Sequence, residues 1–314
     1  MTLVTIVAVA SCFGQLHPWL DLLSNLRLVY LALLFLLFVL LLFLHCHKAG
    51  AITFALLLLL SSPFFSMYCP AESLLRDDTG GRVFRLPSVK IRMLQINPHA
   101  DKNQKFAAVF SYVRELQPEV FAITELSAAW EKALLAEFGD YPYRVIASKH
   151  TSGIALFSKF PLLEPEVIYF PGDPVEHPQI RCRLKTTAGN IKCIVAHPSV
   201  PKKMVASRNA ELLGIADVAS KTDSQCVVFG DLNCGPWSYY FSRLLELGKL
   251  VDSEQGFGPQ PSWSTEMPLP LVPIDHFLVS KDVVVLNRVL GPNIGSDHLP
   301  LYVDLLVRGS VTKP

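Results

Sequence analysis

The stretch Val228-Phe229-Gly230-Asp231-Leu232-Asn233-Cys234-Gly235-Pro236 sets a carboxylate and an amide two residues apart, after an apolar run that stops at a glycine. Alternate residues of an extended backbone point the same way, so Asp231 and Asn233 can address one spot at a strand end. That pair suits a hard cation, a water nucleophile or a phosphoryl oxygen. It equally suits an Asx turn, in which the side chains bond their own backbone. Other polar residues also stand at the ends of apolar runs. Asn97 ends Val89 to Ile96, Glu125 follows Val120 to Thr124, and His197 follows Ile191 to Ala196. Asp275 opens Ile274-Asp275-His276-Phe277-Leu278, and Ser296-Asp297-His298 precedes Leu299 to Val307. Singly, each reads as a helix cap, a His-Pro loop or a satisfied turn. Their accumulation in one chain points to a shared site.

The order of these pieces resembles that of the endonuclease/exonuclease/phosphatase superfamily, the deoxyribonuclease I-like fold that also includes exonuclease III, sphingomyelinases and inositol-polyphosphate 5-phosphatases. The resemblance covers roughly residues 90 to 308. It is carried by Gln95-Ile96-Asn97, Ile123-Thr124-Glu125, Gly153 to Ser158, Ala196-His197-Pro198, Gly230-Asp231-Leu232-Asn233, Ile274-Asp275-His276 and Gly295-Ser296-Asp297-His298-Leu299-Pro300. The Gly-Asp-x-Asn and Ser-Asp-His-x-Pro pieces are the most specific. A hydrophobic leader before them is similar to that of membrane-attached bacterial members.

The resemblance implies a divalent-metal-dependent phosphoesterase, with Mg²⁺ or Mn²⁺ held chiefly by Glu125 and with Asn97 and Asp297 close by. It implies that Asp231 and Asn233 hold the water nucleophile and a phosphoryl oxygen. His298 would be general base or transition-state donor, oriented by Asp275, and His197 would donate to the phosphate or the leaving oxygen. Oxygen donors with no multi-Cys or multi-His cluster agree with a hard metal. The substrate class stays open between nucleic acid, a phospholipid head group and a soluble phosphoester. No basic helix or aromatic-basic stripe marks a DNA-binding surface, which weakens the nuclease reading. Thr124 stands where many members have Gln. The carboxylate supporting His197 is unassigned, with Glu164, Glu166 and Glu176 as candidates. A catalytically silent scaffold of the same fold is the alternative, against which the intact Glu125, Asp231, Asn233, Asp275, Asp297 and His298 set argues. His99, His150 and His177 read as solvated loop residues. Trp237 and Trp263 read as packing residues before they read as a substrate rim.

The elements that must position this set alternate between strand-like and helix-like patterns. Strands are expected at Val89 to Ile96, Val120 to Thr124, Tyr143 to Ala147, Gly153 to Ser158, Cys226 to Phe229, Ile274 to Val279 and Leu299 to Val307, with a hairpin from Arg181 to Ala196. Helices are expected at Gln104 to Leu116, Ser127 to Glu137, Lys202 to Ser220 and Tyr239 to Gly248. Such a mixture predicts an α/β sandwich, which the resemblance sharpens to four layers, two mixed β-sheets flanked by helices, over residues 89–310.

Ahead of this domain the chain is apolar. Of its 314 residues 51% are hydrophobic, and the excess lies before residue 70. Leu28 to Leu44 and Ala49 to Tyr68 can each cross, or nearly cross, a hydrocarbon core of about 30 Å at about 1.5 Å per residue. Thr2 to Gly14 is a weaker third candidate. Residues 1–69 are therefore expected to be a transmembrane module of two or three helices, three slightly favoured, with a polar linker over 70–88. Tandem runs do not fit a cleavable signal peptide. The basic link His45-Cys46-His47-Lys48 places itself in the cytoplasm by the positive-inside rule and the domain on the other side, although Arg76, Arg82 and Arg85 pull against that. An integral inner-membrane protein with an extracytoplasmic catalytic domain follows, with the lipid bilayer as a partner and nothing pointing to a protein partner. The net charge of +1 argues against a strongly basic nucleic-acid platform, though not against a small local basic patch. Seven cysteines without a Cys-x-x-Cys pair indicate neither a zinc site nor a disulfide framework. Cys182 and Cys193 are candidates for one bond between neighbouring strands, or for two small buried residues.

Overall fold

The computed structural model describes residues 2–69, 87–148, 152–170, 175–222, 225–267 and 272–309. The linker centre Arg76 to Gly81 and His150 lie outside these residues. Two six-stranded sheets face one another. One contains β1 (Ser88–Ile96), β2 (Val120–Leu126), β3 (Tyr143–Ala147), β4 (Gly153–Ser158), β11 (Val284–Leu290) and β12 (Leu301–Arg308), in the order β11-β12-β1-β2-β4-β3. The other contains β5 (Leu162–Tyr169), β6 (Pro178–Thr186), β7 (Gly189–Ala196), β8 (Cys226–Asp231), β9 (Leu250–Asp252) and β10 (Asp275–Ser280), in the order β5-β6-β7-β8-β10-β9.

Side-chain alternation divides each central strand between two cores. Ile91, Met93, Val120 and Ala122 of the first sheet meet Ile180, Val195, Val227 and Phe229 of the second in the middle layer. The opposite faces, carrying Leu94, Phe121 and Ile123, pack under the helices Phe106–Leu116 and Ala128–Glu137. On the far side, Ile194 and Val228 pack under Pro201–Ser220 and Tyr239–Gly248. The four-layer sandwich expected from the sequence is what forms. Burying each large apolar side chain in these layers contributes about 1.5–3 kcal/mol.

Three strands escaped the periodicity. β5, β9 and β11 all lie at sheet edges, where a strand has one partner and one face free of the core. β5 carries Glu164, Pro165 and Glu166 and a register break between Leu163 and Glu166, β11 has a break between Val285 and Asn287, and β9 is three residues long. Cys182 and Cys193 stand opposite one another on β6 and β7, buried with their thiols free.

The N-terminal module contains α1 (Thr2–Ala10), α2 (Pro18–Leu23), α3 (Arg27–Phe43) and α4 (His47–Tyr68), with a short 3₁₀ turn, Ser24–Leu26, between α2 and α3. Two helical stretches, Pro18–Phe43 and His47–Phe65, are long and apolar enough to cross a membrane, and little of either is buried. The third candidate forms only the shorter apolar helix Leu3–Phe13. The remaining helices are α5 (Phe106–Leu116), α6 (Ala128–Glu137), α7 (Pro201–Ser220) and α8 (Tyr239–Gly248).

The module docks on the sandwich. Asp21 of α2 pairs with Arg208 of α7 at 2.7 Å, Asn25 Oδ1 accepts from Gly235 N at 2.9 Å, and Phe64 of α4 packs at a tilt against Trp237 with ring centroids 4.8 Å apart. The carbonyl of Met67 accepts from Gly256 N and Gly258 N. Trp237 is therefore packing, as expected, but against the module.

Candidate active site

Strand direction brings the polar residues together. β1 and β2 run parallel, as do β7 and β8, so Asn97, Glu125, His197 and Asp231 all lie at carboxyl ends. β10 is antiparallel to β8 with Asp275 opposite Asp231, and β12 is antiparallel to β1 with Leu301 opposite Gln95. Their beginnings, carrying Asp275 and His298, therefore fall at the same edge of the sandwich.

Local backbone then aims each side chain. Glu125 adopts a left-handed conformation, φ 48°, at a register break between Ile123 and Leu126. This takes its carboxylate out of the alternation that buries Phe121 and Ile123 under α5 and α6. Such conformations are costly and persist where surrounding structure enforces them. Gly230 has φ 141°, and a Cβ there would lie 2.0 Å from the carbonyl oxygen of Ala196. Only glycine lets β8 pass β7 that closely before Asp231.

Asp231 is the hub. Its Oδ1 accepts from Asn233 N at 2.9 Å, and its Oδ2 accepts from Asn97 Nδ2 at 3.0 Å. The same Oδ2 lies 3.6 Å from Nε2 of both His197 and His298. The Asx turn and the functional carboxylate are thus one residue using its two oxygens separately. On the opposite side of His298, Nδ1 meets Asp275 Oδ2 at 2.8 Å. Asn97 Nδ2 also donates to Glu125 Oε1 at 3.1 Å. Ser296 Oγ donates to Asn97 O and accepts from His298 N, tying the Ser-Asp-His loop to the end of β1.

The charges follow from this packing. Burial alone would discharge His298, but Asp275 and Asp231 outweigh it and lift the imidazole to about 10. Burial pushes Asp231 up to about 7, with the His298 charge opposing it. Burial also acts to raise Asp275, yet the charge and hydrogen bond of His298 prevail and hold it below the ordinary carboxylate range. His197 is pushed down by burial, with Glu125 resisting.

Glu125, Asp231 and His298 offer ligand atoms that all lie within 4.8 Å of one another. Two carboxylate oxygens, one of them raised by burial without a full counter-charge, fit a hard divalent cation such as Mg²⁺ or Mn²⁺. The placement of the other expected ligands differs. Asn97 turns its amide nitrogen to the site because its oxygen accepts from His99 N at 2.9 Å. Asp297 is drawn aside, with Oδ1 2.9 Å from His99 Nδ1 and Oδ2 accepting from Trp263 Nε1 at 3.1 Å. One side-chain amide hydrogen of Asn233 is taken by Pro198 O at 3.0 Å, and its main-chain carbonyl accepts from Arg208 Nη1 at 2.9 Å.

Several residues read as bystanders are not. His99 lines the cavity beside the cluster, and Trp263 lines it too. His177 is buried with its ring edge against His197, centroids 5.6 Å apart. Of the candidates to support His197, Glu164 pairs with Arg183, Glu166 stands opposite Arg181, and Glu176 is exposed. Asp231 is the carboxylate that faces His197. Asp21 and Arg208 carried no motif, and nothing local in the sequence marks them.

A family profile described as "Endonuclease/Exonuclease/phosphatase family" matches residues 88–298. The chain belongs to the endonuclease/exonuclease/phosphatase family. Members of this family are metal-dependent phosphoester hydrolases, and the chain is a hydrolase of that kind. No curated protein matches the chain. Among solved structures, a humanized D. rerio TDP2 superposes with a TM-score of 0.61 at 16% identity, covering 69% of this chain and 98% of that one. D. rerio TDP2 complexed with a single-strand DNA product gives 0.60 at 17%, covering 69% and 98%. An endonuclease/exonuclease/phosphatase protein from Bacteroides thetaiotaomicron gives 0.59 at 14%, covering 72% and 100%. At these identities the likeness is one of fold.

Proposed function

We propose that this family member is a membrane-anchored phosphoesterase that uses Mg²⁺ or Mn²⁺ to hydrolyse phosphodiester or phosphomonoester bonds by in-line attack of water. The meeting of Glu125, Asp231 and His298 at one edge of the sandwich carries this reading. Asp231 accepts the water's proton and aligns its oxygen. Asn97 and Asn233 supply amide groups beside the phosphoryl oxygens. His298, kept charged by Asp275, donates to the charge that develops there, and His197 faces the leaving oxygen. The cation, when bound, neutralises the equatorial phosphoryl charge. Glu125 would be its principal ligand.

The two long apolar helices support anchoring, because exposed side chains such as Leu36 and Phe43 (63% and 79% exposed) are costly in water and favourable in lipid. The basic His45 to Lys48 link supports an extracytoplasmic catalytic domain of an inner-membrane protein. The DNA product held by D. rerio TDP2 makes nucleic acid one substrate class to test, beside phospholipid head groups and soluble phosphoesters. The full chain in detergent should turn over bis(4-nitrophenyl) phosphate with Mg²⁺ or Mn²⁺ and stop with chelator or in His298→Ala. A folded, metal-binding chain that leaves every phosphoester intact would defeat the proposal. For sidedness, a reporter fused after Pro314 should be active only outside the cytoplasm; activity only inside would reverse the orientation.

A further inference from the structure

We infer that the cavity beside the catalytic cluster receives the hydrocarbon tail of a membrane lipid, which makes the substrate a lipid phosphoester. This deepens the phosphoesterase reading and rests on it. One cavity of about 780 Å³ holds both chemistries, within the roughly 300–1,000 Å³ of small-molecule sites. Glu125, Asp231 and His298 line it beside polar residues such as Asn25, Asp101 and Lys102, and Leu22, Leu26, Val200, Val272 and Ile274 add apolar surface to the same cavity. Leu26 and Val200 are 41% and 42% exposed at this wall, apolar surface that a soluble ion would leave wet.

Leu22 and Leu26 of this lining belong to the N-terminal module, whose position is fixed. α2 is held to the sandwich by Asp21, which is fully buried and bonds Arg208, Ser238 and Tyr239 N. Asn25 bonds Gly235, just past Asn233. Directly after Leu26 the chain enters α3 at Arg27, which makes up most of Pro18–Phe43, one of the two helical stretches that can cross a membrane. The cavity therefore opens where the proposed span meets the bilayer surface, and a lipid can slide its phosphate to the cluster while its tail stays against leucine. Charge argues the same way. Among the described residues, Lys102 is the sole lysine or arginine lining the cavity, enough for one phosphate, whereas a nucleic-acid strand needs a track of them.

The test uses the full chain in nanodiscs with Mg²⁺ and phosphatidylglycerols of one head group, dioleoyl and dibutyryl, beside bis(4-nitrophenyl) phosphate and a single-stranded oligonucleotide. The expected result is a kcat/KM at least about tenfold higher for the long chain, since even one well-packed methylene discriminates on that scale. Leu26→Gln, at an exposed position, should lower the long-to-short ratio by about tenfold. A non-hydrolysable alkyl phosphonate with a diazirine at its tail end should crosslink to residues 22–26 or 272–274 without metal. Equal kcat/KM for both chains, an unchanged ratio in Leu26→Gln, or preference for the oligonucleotide overturns the inference while leaving the phosphoesterase standing. If both phosphatidylglycerols are refused but the aryl phosphodiester is cleaved, the crosslink decides, and its absence from the cavity overturns the inference. No metal-dependent hydrolysis of any substrate removes both readings.

Discussion

Asp21 and Arg208 lie 2.7 Å apart with neither side chain exposed, joining the N-terminal module to the helix from which Arg208 also donates to the main-chain carbonyl of Asn233. A buried ion pair gains little over a well-packed apolar pair, but breaking it strands a charge. Asp21→Asn should therefore lower the stability of the full chain in detergent by about 3–5 kcal/mol. The double variant Asp21→Leu/Arg208→Met should lose less than the single one. Thermal unfolding of the three proteins measures this, and equal losses in single and double variants would refute the coupling. The single variant should also slow turnover of a soluble phosphodiester, because Arg208 holds the carbonyl of Asn233.

Glu125→Gln keeps the shape of the side chain and removes its charge. Ligand binding to the native state stabilises it by about 2.7 kcal/mol at a hundredfold excess over Kd. Mg²⁺ should thus raise the unfolding temperature of the wild type and leave that of the variant nearly unmoved. Calorimetric titration with Mg²⁺ checks the same point directly.

Asp275→Asn leaves His298 without the carboxylate that orients it at 2.8 Å. The kcat for phosphodiester hydrolysis should fall by roughly 10²–10⁴, with KM changed far less. Asp275 raises the proton affinity of His298, so the imidazole of the variant should titrate at lower pH. A pH profile of kcat that keeps the wild-type limbs would contradict the assigned contact.

Burial raises Glu254 to about 7 from an ordinary 4.5, with the Arg288 charge opposing. The native state binds this proton more tightly than the unfolded chain, so the contribution is fully present below pH 4.5 and fades as pH rises towards about 7. Over that window the wild type should lose about 3 kcal/mol that Glu254→Gln does not lose, at about 1.4 kcal/mol per pKa unit. Unfolding temperatures of both proteins between pH 4.5 and 8 should converge at the acidic end and diverge at the neutral end, in the variant's favour.

The sequence by itself determined the central strands and all four sandwich helices, because each buries one face and so carries a periodicity. Gly230-Asp231-Leu232-Asn233 and Ser296-Asp297-His298 were legible because Gly230 is sterically required and polar residues after apolar runs mark strand ends. Of the four edge strands only β3 was legible; β5 and β11 carry register breaks and β9 has three residues, and each has a single partner to impose a pattern. Tertiary structure alone decided which oxygens meet. His99, outwardly a loop histidine, captures Asp297 and the oxygen of Asn97, so that Asn97 meets Glu125 and Asp231 through its nitrogen. It also decided that Asp21, 187 residues from Arg208, ties the apolar module against the catalytic edge. Hydrogen bonds and charge pairs across such separations leave no periodic trace, because their geometry exists only once both layers have packed.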